Sequence, residues 1–164
     1  MYTKAFSIRK LIGTFTASGL LAASSIIGAS SADAASYTTG FRMYSYITRY
    51  DMGKPYVYGT DGPRTFDCSG LIYSAAHKVG DYTIPRTSEA QQRNSKKVPY
   101  RHRRVGDLVF FGYPAYHVGI YAGVHWYQGK WRSMMVDAPH SGTSVREEPV
   151  YYSGSVSVSY GSPS

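Results

Sequence analysis

The 164-residue chain has one cysteine, Cys68, so no disulfide can form within it. It has no Cys-x-x-Cys or His-x-x-x-His spacing, and one cysteine cannot build a structural zinc site; no metal or cofactor is expected. No glycine-rich phosphate loop follows a strand pattern. There is no internal repeat and no long linker. Beyond the N-terminal stretch, no segment is long and apolar enough to cross a bilayer. Acidic residues are scarce, with 10 Asp+Glu against 18 Lys+Arg and a net charge of +8.

The first residues carry Lys4, Arg9 and Lys10 and no acid, and an apolar and small-residue run covers 11–28. Ala32-Asp33-Ala34 then gives an A-x-A exit, so 1–34 is expected to be a secretory signal peptide cleaved after Ala34. Thr14, Thr16, Ser18, Ser24 and Ser25 interrupt the run and argue against a stable membrane anchor. Residues 35–164 are then a single domain, with 15 Lys+Arg against 9 Asp+Glu and a net charge of +6. A basic secreted domain is attracted to polyanions, such as anionic wall polymers. No nucleic-acid motif accompanies the charge. Arg101-His102-Arg103-Arg104 reads as a solvated basic loop. The 17 tyrosines suit carbohydrate or peptide contacts on a secreted surface, or a core.

The mature start, 36–40, and the Gly/Ser-rich tail, 153–164, read as loose, with one strand at 156–160. Phe41, Tyr44, Ile47 and Tyr50 recur at helical spacing and predict a helix over 41–52, ended by Gly53. A glycine-punctuated loop follows over 55–67. Asp67 caps a second helix over 68–79, whose broad apolar face buries it. Ser88 with Gln91 forms a capping box that opens a short helix over 88–94. After Pro99 the pattern becomes β, with strands expected at 107–112, 117–123, 131–137 and 143–148. Helices first and an antiparallel sheet second define an α+β domain.

A lone thiol in a secreted chain is either a small buried hydrophobe or a nucleophile. Cys68 falls in the first turn of a helix. Unpaired backbone N–H groups and the helix dipole favour a thiolate there, and the same groups can donate to an oxyanion. A nucleophilic cysteine needs a base. His77 lies about 13 Å along the same helix, out of reach. His102 sits among cations, and His125 in a hairpin loop with Trp126 and Tyr127. His117 begins a strand next to a loop and is the expected base. Its orienting partner depends on hairpin register. A seven-residue loop over 124–130 sets His117 against Asp137; a tight Gln128-Gly129 turn sets it against His140.

Five motifs occur in order: Pro55-Tyr56-Val57-Tyr58-Gly59, Phe66-Asp67-Cys68-Ser69-Gly70-Leu71-Ile72, Ile84-Pro85-Arg86-Thr87-Ser88 with Gln91, Val105-Gly106-Asp107-Leu108-Val109-Phe110-Phe111, and His117-Val118-Gly119-Ile120-Tyr121. Together they resemble the NlpC family of bacterial cell-wall cysteine peptidases over roughly residues 41–150. The resemblance implies a papain-like α+β fold and hydrolysis of peptidoglycan stem peptides at the bond between γ-D-glutamate and the following diamino acid. It implies Cys68 as nucleophile, His117 as base and Asp137 as third residue. It further implies that Tyr56 holds the reacting carbonyl, that Asp67 and Ser69 bind the amino end of the stem peptide, and that Arg86 and Ser88 line the cleft. A secreted or wall-associated monomer is expected. The rival readings are an amidase or acyltransferase on another substrate, and a catalytically silent wall-binding module. Val124–Ser133 is longer than the family's hairpin, and the chain carries no separate wall-binding module.

Overall fold

The computed structural model describes residues 30–152 and 154–163. The expected signal peptide therefore lies outside the described residues, apart from 30–34. Three helices, α1 (Ser31–Tyr50), α2 (Cys68–Lys78) and α3 (Ser88–Asn94), precede or flank the strands β1 (Lys96–Val98), β2 (Leu108–Gly112), β3 (Ala115–Tyr127), β4 (Lys130–Asp137), β5 (Arg146–Pro149) and β6 (Val158–Ser162). The strands form one antiparallel sheet in the order β1-β6-β2-β3-β4-β5. This is the expected α+β architecture.

The helices cover one sheet face. Met43 and Ile47 of α1 and Leu71, Ile72, Ala75 and Ala76 of α2 pack with Leu108, Phe110, Val118, Ile120 and Val136 in the main core. The opposite face buries a smaller cluster around Val109, Phe111, Tyr121, Met135, Val150 and Tyr160. Alternate residues of the same strands serve the two clusters, as the two-residue strand period requires.

Helix α1 begins ten residues before its expected start, and 36–40 is helical rather than loose. Gly40 ends that stretch. In the fold it is a contact point: an added Cβ would lie 2.5 Å from the Gly106 carbonyl oxygen. Thr87, not Ser88, caps α3, accepting from the Ala90 amide at 3.3 Å. Ser88 instead donates to the Ala115 carbonyl at 2.9 Å, and Gln91 is fully buried. The strand expected at 156–160 in the tail lies two residues later, as β6, and pairs with both β1 and β2. Its Val158 and Tyr160 face the second cluster.

The α1–Gly106 contact yields a test. Gly40→Ala forces backbone apart at a fixed packing point, where overpacking costs about 1–3 kcal/mol. Thermal unfolding should fall by about 3–8 °C. An unchanged midpoint would mean that α1 does not seat on Gly106.

Candidate active site

Cys68 is the first residue of α2, as the sequence predicts, and is partly exposed. Asp67 caps the helix, accepting from the Gly70 amide at 2.6 Å. The same carboxylate takes a bidentate guanidinium: Arg86 Nη1 donates to Oδ1 at 2.9 Å and Nη2 to Oδ2 at 2.7 Å. Gly59 N–H also donates to Oδ2, at 2.9 Å. Burial acts to raise the Asp67 pKa, but Arg86 and the Gly70 and Gly59 amides outweigh it and hold the carboxyl below the usual range. Arg86 also donates to the Ser69 hydroxyl at 3.0 Å. One ion pair thus fixes the loop before the cysteine, the start of its helix and the segment before α3. Gly70 permits this closeness, since a Cβ would lie 2.1 Å from the Thr60 carbonyl.

Buried Gln91 ties the same parts together. Its amide donates to the carbonyls of Ser69 and Pro85 at 3.0 and 2.8 Å. Tyr56, Asp67, Cys68, Ser69, Arg86 and Ser88, six of the eight residues singled out in the sequence, line one open cleft of about 400 Å³. A groove of about 420 Å³, lined by Gln92, Ser95 and Lys97, holds none of them. Burial, with the nearby Cys68 and Asp67, raises the Tyr56 pKa, so its phenol remains a donor at neutral pH.

His117 and Asp137 complete the site. The imidazole Nε2 donates to Asp137 Oδ2 at 2.7 Å, and both groups are buried. Nδ1 is the ring's other nitrogen, and Cys68 lies close enough to act on the acidity of the imidazole. Burial acts to lower the His117 pKa, but Asp137 and Cys68 outweigh it and lift it from 6.5 to about 9. Asp137 Oδ1 has no hydrogen-bond partner among the described residues, so the imidazole is the main group compensating this buried carboxylate. His140 is exposed and bonds the Ser141 carbonyl through Nδ1. His77 and His125 are engaged elsewhere, with Tyr73 and Glu147.

The hairpin reaches this pairing by neither expected route. It has the tight Gln128-Gly129 turn, with Tyr127 opposite Lys130. Gln128 and Gly129 both have positive φ, 46° and 79°, as a type I′ turn requires. That register alone would set His117 against His140 and turn Asp137 to the other face. A bulge between Tyr121 and Gly123 shifts the ladder by one residue, so Ile120 pairs with Val136. Asp137 then shares His117's face as a diagonal neighbour. Gly119 makes room for it: a Cβ there would lie 3.2 Å from the Asp137 Cβ and 3.1 Å from the Met135 sulfur.

Sequence reasoning missed three supports. Phe111 packs its ring 5.5 Å from His117, and Tyr151 stacks on Phe111 at 4.3 Å. Gly119 leaves no signal beyond its place in the His117 motif. Among the described residues, no group of three or more His, Cys, Asp or Glu side chains could hold a metal, and no helix is long and apolar enough to cross a membrane. A thiol at a helix start, an imidazole beside it and a buried carboxylate behind the imidazole can together perform nucleophilic acyl transfer.

Comparison with known proteins agrees with this geometry. The profile of the NlpC/P60 family matches residues 53–157. A probable endopeptidase of Corynebacterium glutamicum is 36% identical over 127 residues, covering 77% of this chain and 56% of that protein. The bifunctional muramidase/DL-endopeptidase CwlT of Bacillus subtilis is 44% identical over 77 residues, covering 43% of this chain and 23% of CwlT. The solved structure of the peptidoglycan hydrolase RipB from Mycobacterium tuberculosis superposes with a TM-score of 0.57 at 27% identity, covering 76% of this chain and 66% of that one. The chain belongs to the NlpC/P60 family of cell-wall peptidases, and its fold is the papain-like α+β fold of that family. It spans about half the length of the C. glutamicum relative.

The pair also sets a pH dependence. A histidine raised from 6.5 to about 9 contributes stability that is complete below pH 6.5 and is lost as pH rises through about 9. Asp137→Asn should remove most of that slope and bring the NMR titration of His117 down towards 6.5. A midpoint that stays near 9 in this variant would show that Asp137 does not set it.

Proposed function

We propose that the chain is a secreted, single-domain cysteine endopeptidase that cuts peptidoglycan stem peptides, between γ-D-glutamate and the diamino acid that follows. The observation that carries this reading is Cys68 at the cleft, with His117 acting on it and held by Asp137 through the Nε2–Oδ2 bond at 2.7 Å. The relatives named above support the substrate class. A signal peptide over 1–34, cleaved after Ala34, and a domain over 35–164 complete the proposal and put the enzyme outside the cell or at the wall. Anionic wall polymers are further partners for its positive surface.

In this reading the Cys68 thiolate, paired with protonated His117, attacks the amide carbonyl. The N–H groups at the start of α2 and the Tyr56 phenol stabilise the oxyanion. Imidazolium Nδ1–H then gives its proton to the leaving amine. The acyl-enzyme is released by water, whose proton His117 takes. Asp137 holds the ring with Nδ1 towards the sulfur throughout. Asp67 and Ser69 receive the amino end of the stem peptide. Both carboxylate oxygens of Asp67 already accept bonds, so it serves mainly through its negative charge. Arg86 and Ser88 shape the opposite wall.

Digestion of wall fragments followed by mass spectrometry tests the bond. New free amines on diaminopimelate or lysine are expected, and Cys68→Ala and His117→Ala should both abolish them. Fragments left intact by the parent chain, or cut equally by Cys68→Ala, would end the reading. Release of an amide-exchanged product, or of ammonia, would favour the amidase or acyltransferase alternative.

The acidity of His117 gives a separate expectation. The parent's kcat/KM should fall as pH rises through about 9, where the imidazolium is lost. Asp137→Asn should lower the rate by at least tenfold at neutral pH and bring the alkaline limb down.

A further inference from the structure

The chain has two tryptophans, and neither is in a core. Trp126 and Trp131 are 61% and 68% exposed. They face each other across the β3–β4 hairpin, with ring centroids 5.6 Å apart in an edge-on arrangement. Leaving two large aromatic side chains in water forgoes about 1.5–3 kcal/mol of burial each. Cross-strand packing at the tight turn explains their contact with each other but not the exposure of their outer faces.

The strand register continues the surface inward. Val124 pairs with Ser133 on the same face, and Val124 is also exposed. The Ser133 hydroxyl accepts from Arg103 Nη2 at 2.9 Å and interacts with the Tyr152 phenol. Two indole faces are therefore followed by a hydroxyl, a guanidinium and a phenol along one side of the sheet. Val124 is the one aliphatic side chain in the row, which is too little to enter a lipid phase. Flat aromatic faces beside fixed hydrogen-bonding groups match a pyranose, which has an apolar C–H face and a hydroxyl rim.

We propose that Trp126 and Trp131 form a carbohydrate platform that binds the polysaccharide strand of the wall. The inference rests on the proposed substrate class but not on catalysis. Nine residues of strand separate His117 from Trp126, about 30 Å at strand rise. The platform therefore grips glycan well away from the bond being cut. It retains the enzyme on its polymer.

Both tryptophans lie in the platform, so intrinsic tryptophan emission reports this surface alone. Titrating the full chain with peptide-free polysaccharide strands from peptidoglycan should give a saturable change in emission. Trp126→Thr and Trp131→Thr should each weaken binding at least tenfold and reduce co-sedimentation with insoluble wall. Cleavage of a short soluble stem peptide should stay within twofold of the parent. Emission unmoved by polysaccharide would overturn the proposal without recourse to any variant. So would a change produced by anionic phospholipid vesicles and not by polysaccharide. A parent chain that binds polysaccharide but cuts no peptide would keep the platform and remove the endopeptidase reading.

Discussion

A carboxylate with no exposed surface must have its charge answered nearby, and for Asp137 the main answer is the His117 imidazole. Oδ2 accepts from His117 at 2.7 Å and Oδ1 has no partner among the described residues. Stranding either member would leave a buried group uncompensated, which is far more costly than losing a surface pair. Much of the sheet is arranged around this need. The bulge in β3 sets the face, Gly119 leaves the space, and Phe111 with Tyr151 closes the ring's other side. The proposed chemistry inherits the result, since a histidine lifted to about 9 is an imidazolium under ordinary conditions.

A second ion pair serves the other half of the site in a different way. Asp67 and Arg86 join two loops and a helix start through paired contacts. The first pair raises the pKa of His117; the second fixes position. Gln91 repeats the positional task without charge, by holding two carbonyls from beneath. The cysteine is therefore set on a floor braced from three segments, while its histidine comes from the sheet.

The helix-start cysteine, the Asp67 cap and the His117 strand end were legible because each depends on local spacing. Helix α2 and the strands β2 to β4 followed from the same local patterns. What could not be read was long-range. Gly40 lies in a stretch read as loose and becomes a contact only when Gly106 arrives opposite it. The strand near 158–162 could be read from its own pattern, but not its place between β1 and β2. The third site residue shows the limit most clearly. Residue patterning left Asp137 and His140 as alternatives tied to turn length. The turn is the one that pointed to His140, yet the partner is Asp137, because a one-residue bulge reverses face parity. Nothing in Tyr121-Ala122-Gly123 announces that bulge except a glycine, which has φ of 106° in the fold.

The position of β6 fixes an order of assembly. It lies between β1 and β2, although both precede it in the chain by a long interval. During synthesis β2 must wait with an open edge until residue 162 has emerged, because its neighbour on that side does not yet exist. Val158 of β6 pairs with Phe111, the residue whose ring lies against His117. Completing the sheet and backing the histidine thus fall to the same strand, the one that comes late in the chain.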